Sequence, residues 1–517
     1  MKRILLYLYI GLLGFSSCSE DFLNVYPETS VGSESFYQTP DQYEQALIAS
    51  YEKLRSIAVR GFFMDEMRSD NAFFTMYNGD RGPYLSTEVM ALFLDDETTT
   101  SWLTNDRYNE DYSGISRVNT ILDRLETSAL TDSEKNKVKA EASFLRAFYY
   151  FDLVTHWGGI PLMLKEVKNE SEAFVPNSTV EEVYDQILAD VSEAISIGLP
   201  VADKFPQTGK ATMGAAKMLR AYAYMSKPNR EYAKAEQDLR DITQMNYGLL
   251  DNYADIFELG NKNSKESIFE VQYMDGDGEQ HCDFPWRLIP KCSNTEVMMG
   301  VAANNYTGVS GGWAVPTQEL IDSYEEGDKR LSATIAVAEG TVDASEKFAF
   351  ESLKEPKGYV VPEGKAFRYF TIKYYHPPYN FASKAGDNFP IYRYSGALLL
   401  LAECLVEQGK NAEALPYINQ VRERAGLPAL TSVTKQNVSD EMRHELAFEN
   451  HRWTDLIRTG QAIEVMQKHG AEMKKLYNWV PDFAFNITQE RLLFPFYFRE
   501  LQVNRELKQN PGYKGDY

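Results

Sequence analysis

Two stretches of this chain share one pattern, and that pattern limits the folds open to it. Residues 214–245 read GAAKMLRAYAYMSKPNREYAKAEQDLRDITQM, and residues 396–425 read GALLLLAECLVEQGKNAEALPYINQVRERA. Each is a run of small and apolar residues, a short polar turn, then a second run with closely spaced alanines. The periodicity is helical, so each stretch is predicted to form a pair of helices. The length is near that of a tetratricopeptide repeat. Small residues let paired helices approach closely, and a pair that cannot bury its apolar face alone must stack on neighbours. The segments LRAFYY at 145–150 and LRAYAY at 219–224 carry the same sub-pattern. A mainly α scaffold for binding, rather than for catalysis, is the expected class.

Between about residues 250 and 395 the texture changes. Glycine, proline, asparagine and aromatics increase in MDGDGEQHCDFPWRLIP, NNYTGVSGGWAVP and RYFTIKYYHPPYNF, and helical periodicity fades. A second loop-rich patch is FFTMYNGDRGPYLS at 73–86. Long loops on a rigid scaffold are where function concentrates. The expected division is a helical part over 36–250, a loop-rich insertion over 251–395 and a C-terminal helical part over 396–517.

The first residues read MKRILLYLYIGLLGFSSCSEDF. A basic start, an apolar run too short to span a bilayer and two small residues before Cys18 form a secretory signal with a lipobox. Residues 1–17 are the expected signal peptide, Cys18 the lipidated first residue and 18–35 a tether. The formal net charge is −22, which repels phosphate backbones and argues against nucleic acid as a partner. Cys282 and Cys292 lie near enough in sequence to form a disulfide in an exported chain, whereas Cys404, in ALLLLAECL, is expected to be a small buried residue.

The densest cluster of titratable groups is RHELAFENHRWTDLIR at 443–458. A helical zinc site needs two histidines one turn apart, but the residue four after His444 is Phe448, and His451 lies two turns on. The stretch is therefore read as a helix with a partly buried charge network. Met442, Leu446, Glu449, Trp453 and Ile457 would share a face, and Arg452, Arg422 or Arg424 would pair with Glu449. Gly308-Val309-Ser310-Gly311-Gly312 fits GxSxG, yet a nucleophile elbow needs a strand before it and a helix straight after. Here the next helix is predicted to begin only near Thr317, after Pro316, so a glycine loop is the expected reading. Asp275-Gly-Asp-Gly-Glu279 lacks the ligand series of an EF-hand calcium loop and reads as a solvated turn. No cofactor or metal is expected.

The loop aromatics remain. Tyr77, Tyr84, Trp286, Tyr306 and Trp313 sit among glycine, asparagine and aspartate. Flat rings stack on the C–H face of a sugar, and polar neighbours such as Asn78 bond its hydroxyls. These six residues are the expected ligand contacts. The alternative is that the rings pin the loops to the scaffold.

Several segments, in order, resemble the SusD/RagB family of outer-membrane lipoproteins. They are EDFLNVYPETS after Cys18, KAEASFLRAFYYFDLVTHWGGIPLM at 139–163, PTQELIDSYEEGDKR at 316–330, IYRYSGALLLLAEC at 391–404, RHELAFENHRWTDLIRTG at 443–460 and LKQNPGY at 507–513. The resemblance implies tetratricopeptide-like helix pairs in a right-handed helical scaffold, with a loop-rich, irregular ligand-binding half. It implies a non-enzymatic role on a SusC-like TonB-dependent transporter, capturing glycans, or in some members peptides, for import. It also implies a lipid anchor in the outer membrane, facing the cell exterior, and a structural role for the RHELAFE segment. A surface hydrolase using Ser310 is the remote alternative.

Overall fold

A computed structural model describes residues 36–76, 85–99, 101–276, 278, 280–302 and 311–517. The expected signal segment, tether and Cys18 lie outside the described residues. Helices α1 (Pro40–Tyr51) and α2 (Leu54–Gly61) lead into β1 (Ala72–Phe73). Then follow α3 (Asp106–Thr127), α4 (Asp132–Trp157), α5 (Val180–Ile197), α6 (Met213–Ser226) and α7 (Tyr232–Thr243). The middle supplies β2 (Ser267–Val271), β3 (Val315–Pro316), β4 (Ile335–Val342), β5 (Phe348–Lys354), β6 (Ala366–Thr371) and β7 (Phe389–Arg393). The C-terminal part returns to helix in α8 (Tyr394–Glu407), α9 (Asn411–Arg424), α10 (Lys435–Leu446), α11 (Arg452–Arg458) and α12 (Ala462–Leu476).

The helix pairs read from the repeat are present. Each helix from α3 to α7 packs on the next, and α8 packs on α7 before turning to α9 and α10. The two repeat pairs are therefore neighbours in space although the whole middle region separates them in sequence. Threonine caps set the starts: Thr131 and Glu134 form a capping box at α4, as do Thr179 and Glu182 at α5. Buried small residues, among them Ala215, Ala216, Ala221 and Ala223 of α6, allow the close packing. Gly114 marks a close approach of α3 to α4, since a Cβ there would sit 2.4 Å from the Tyr149 ring.

The repeated LRA motif has one physical role. Arg146 of α4 holds both carboxylate oxygens of Asp190 on α5 at 2.8 Å. Arg220 of α6 does the same to Asp238 on α7 at 2.7 Å. Each bidentate pair fixes one helix against the next in rotation as well as distance.

The middle is more regular than its composition suggests. β5, β4 and β6 form a three-stranded antiparallel sheet in that order, and β2 pairs antiparallel with β7. All three free thiols, Cys282, Cys292 and Cys404, are buried, and Cys282 and Cys292 are not joined. Cys282 instead bridges to Ala385 through its backbone, while Cys292 Sγ lies 3.5 Å from the Thr295 hydroxyl. Cys404 is a small core residue, as expected.

The 443–458 segment is two helices, not one. The chain breaks at 447–451, where Phe448 and Asn450 take left-handed φ values of 64° and 62°. Distant groups hold the break: Asn450 donates Nδ2 to the Ala58 carbonyl at 2.9 Å and its amide to Glu66 at 2.8 Å. Glu449 is buried as expected, but its partners are Arg393 at 2.6 Å and Lys373 at 2.7 Å. Arg452 pairs with Asp70, and Arg422 with Glu441 and Glu325. His444 lies 2.9 Å from the Ser323 hydroxyl and stacks on Tyr324, and His451 lies 3.0 Å from the Ile391 carbonyl. Apart from Arg452, which shares Asp70 with Arg443, these charges form one interior network. Arg393 also bonds Glu266 and Glu445, and Arg330 bridges Glu441, Glu445 and Asp328.

Glu66 forms no ion pair among the described residues, although the Lys373 charge acts on it from a distance. Burial pushes its carboxyl up to about 7, against the pull of hydrogen bonds from Asn71 and Asn450. The folded chain therefore keeps a proton that the unfolded chain releases near its ordinary value, so this group's contribution to stability falls as pH rises from about 4.5 to 7. Glu66→Gln is expected to remove that slope, worth roughly 3 kcal/mol or less. Urea midpoints at pH 5 and pH 8 for both proteins would check it.

Candidate functional site

β1 and β3 form a short antiparallel pair that draws two loop-rich patches together. Ala72 stands opposite Pro316 and Phe73 opposite Val315. The Thr75 amide extends the pairing to the Gly312 carbonyl at 3.1 Å, and the Thr317 amide donates to Asn71 at 3.0 Å. Thr317 then caps the helix Gln318–Ser323, which starts where the sequence predicts, after Pro316. Residues 311–317 are therefore not helical, whereas a nucleophile elbow needs a helix directly behind its serine.

Beside this pair lies an open cleft of about 640 Å³. Phe73, Phe74 and Met76 line one side, β6 with Phe367, Arg368 and Tyr369 another, and Tyr477 and Trp479 a third. Tyr477 and Trp479 follow α12, whose last turn carries Leu476; Pro481 lies beyond and cannot extend the helix. The Phe73 ring is buried and forms the floor. Tyr477 and Trp479 lie nearly parallel to it, at 18° and 17°, with centroids 5.7 and 5.8 Å away. Tyr477 is 38 % exposed, so the platform meets solvent on that side.

β6 is the edge strand that faces the cleft. Its Tyr369 hydroxyl donates to Gln318 Oε1 at 2.8 Å, tying the sheet to the helix after β3. Phe367 packs between Tyr359 and Tyr369, at 5.4 and 5.2 Å. Burial pushes the Tyr369 phenol up, with the Asp322 carboxylate adding to it, and burial raises Tyr477 against the pull of Arg368. Both hydroxyls are therefore neutral donors at physiological pH. The cleft joins apolar ring faces to a few fixed polar groups, which suits a ligand that is flat on one side and hydroxylated at its edge.

The residues expected from sequence fall differently. Tyr77, Asn78, Tyr84 and Tyr306 lie outside the described residues, as do Ser310, Asp277 and Glu279. Trp286 and Trp313 are core residues, 1 % and 6 % exposed. The Trp286 ring packs 4.5 Å from Tyr379, and Trp313 packs edge-on against Phe63 at 5.8 Å. The segment around Trp313 lies tight on the short helix that carries Trp286: the Gly312 amide donates to the Ile289 carbonyl at 2.7 Å. A Cβ on Gly311 would stand 2.3 Å from the same oxygen. These two rings pin loop to loop and offer no ligand a free face. Sequence reasoning missed Phe73, Phe74, Phe367, Tyr369, Tyr477 and Trp479. The signal for the last two was the YNWVP run after a helix, which has the same mix of ring, asparagine and proline as the patches that drew notice.

A sequence model described as the SusD family matches residues 265–513. A second, described as starch-binding and associating with the outer membrane, matches residues 21–227. The chain belongs to the SusD family. SusD-like protein P38 of Formosa agariphila is 28 % identical over 98 % of both chains. Starch-binding protein SusD of Bacteroides thetaiotaomicron is 24 % identical over 77 % of both. Among solved structures, a laminarin binding SusD-like protein superposes with a TM-score of 0.73 at 26 % identity, covering 92 % of this chain and all of the other. The mainly α, tetratricopeptide-like architecture of this SusD-like chain is that of its relatives.

Proposed function

We propose that this chain is a cell-surface binding protein that captures oligo- or polysaccharide in the aromatic cleft and delivers it to a SusC-like TonB-dependent transporter in the outer membrane. The observation that carries the reading is the ring platform of Phe73, Tyr477 and Trp479 beside the polar edge of Tyr369, Gln318 and Arg368. The names of its relatives, starch-binding and laminarin binding, support the same ligand class. Cys18 is the proposed lipid anchor. Tyr77, Asn78, Tyr84 and Tyr306 are proposed as further contacts, carried on the segments that continue from Met76 and that precede Gly311. The chain acts by binding, without turnover.

The test is binding of the detergent-solubilised chain to a panel of plant, microbial and host polysaccharides and mixed peptides, with product release followed in the same tubes. Retention of a glycan with no product is the expected result. Binding of peptides alone would overturn the ligand class. Release of product would overturn the non-enzymatic role and reopen Ser310.

A further inference from the structure

The charge around the cleft runs against that of the whole chain. The protein carries 75 acidic and 53 basic residues. Among the described residues that line the cleft there are two cations, Lys365 and Arg368, and no carboxylate. Lys365 is satisfied by Glu351. Arg368 is not: Nη1 donates to the Phe367 carbonyl at 2.7 Å and the guanidinium lies 5.2 Å from the Phe348 ring, but it makes no ion pair among the described residues. Nearby carboxylates are engaged elsewhere. Glu339 accepts from the Tyr359 hydroxyl, Glu319 pairs with Arg443, and Asp322 accepts from the Gln318 amide.

The fully buried arginines Arg330, Arg393 and Arg458 are matched to acids, as are the less buried Arg146 and Arg220; half-buried Arg55 resembles Arg368 in bonding a carbonyl, that of Gln272, but it does not line the cleft. A half-buried guanidinium with donors to spare, set beside an aromatic platform, is matched to an acid that the described residues do not supply. Its planar fork fits a carboxylate or a sulfate with two parallel hydrogen bonds. Resting on the glycan-capture reading above, we infer that the cleft selects a glycan bearing an anion, a uronate carboxylate or a sulfate ester, and that Arg368 is the residue that reads it. The chain's net charge of −22 repels a polyanion from the rest of the surface, so recognition has to be local.

The experiment titrates the detergent-solubilised full-length chain with uronate polymers and sulfated galactans, each beside its carboxyl-reduced or desulfated counterpart. R368Q, R368K and Trp479→Ala are measured in parallel, with a thermal melt to show that each is folded. One anionic form is expected to bind more tightly than its neutral counterpart. R368Q should weaken that form about tenfold and the neutral one by a much smaller factor, with partial retention in R368K. The uronate and sulfate arms then identify the anion. Equal or tighter binding of the neutral forms, or no effect of R368Q on the anionic form, overturns the inference. If Trp479→Ala still abolishes binding in that case, the capture reading stands. If no glycan binds, or neither substitution matters, both fall.

Discussion

Arg393→Met is expected to destabilise the protein by about 3–5 kcal/mol, the range for breaking a buried ion pair from one side. Arg393 ends β7, and α8 begins at the next residue. From there its guanidinium reaches Glu449 at 2.6 Å and Glu266 and Glu445 at 2.9 Å, all of them buried. Methionine fills most of the space but leaves three carboxylates to share Arg424, Arg330 and Lys373. Burial alone would push the Glu449 carboxyl up, yet Arg393 and then Lys373 outweigh it and hold it below the usual range. A depressed acid contributes stability above its unfolded value, lost as pH falls through the folded one. The variant should therefore lose stability at neutral pH and lose less on acidification below about pH 4.5. Chemical unfolding at pH 7 and pH 4 would measure both. An unchanged midpoint at pH 7 would mean that the network fixes register without stabilising the fold.

Trp479→Ala is expected to weaken glycan binding by about thirtyfold or more, the effect of losing an aromatic anchor worth roughly 2 kcal/mol. The ring is half-buried, close to Phe74 at 5.3 Å and Tyr477 at 5.3 Å, and its removal leaves the buried Phe73 floor in place. The melting temperature should change little. Trp286→Ala is the contrast: that ring is wholly enclosed, and truncating a core tryptophan costs about 3–5 kcal/mol. Calorimetric titration and melting of the two variants separate ligand contact from core. Full affinity in Trp479→Ala would mean the ligand binds elsewhere.

The helix pairs were legible because their physics is local. Period, small residues and threonine caps all act within a few positions of one another, as at Thr131 and Glu134. What could not be read depended on distance along the chain. The break at Phe448 and Asn450 is imposed by Ala58 and Glu66, and the partners of Glu449 lie 56 and 76 residues away in sequence. Trp286 and Trp313 stand among turn-forming residues that usually face water; here the two loops bury each other. The cleft was half legible. FFTMY and RYFTIKYY were noticed as aromatic loop patches, but only the β1–β3 pairing and the end of α12 show that Phe73, Tyr369 and Trp479 converge. The β4–β5–β6 sheet went unseen because FAFESLK and AFRYFT mix charge and small residues into the alternation.

Those long-distance bonds also set an order in time. Arg443 donates to the Asp70 carbonyl across 373 residues, Trp157 to the Pro495 carbonyl across 338, and Asn510 to the Trp157 carbonyl across 353. A growing chain that has not yet reached Arg443 and Arg452 holds Asp70 without either cation, and Glu66 without the Asn450 amide. Contacts this remote close late, because the entropy of a long loop must be overcome before they form. Early helices can pair as they emerge, but the ligand cleft and the charged centre wait for the last segment. A chain that stops short of these segments lacks the cations of Asp70 and the Tyr477 and Trp479 side of the cleft.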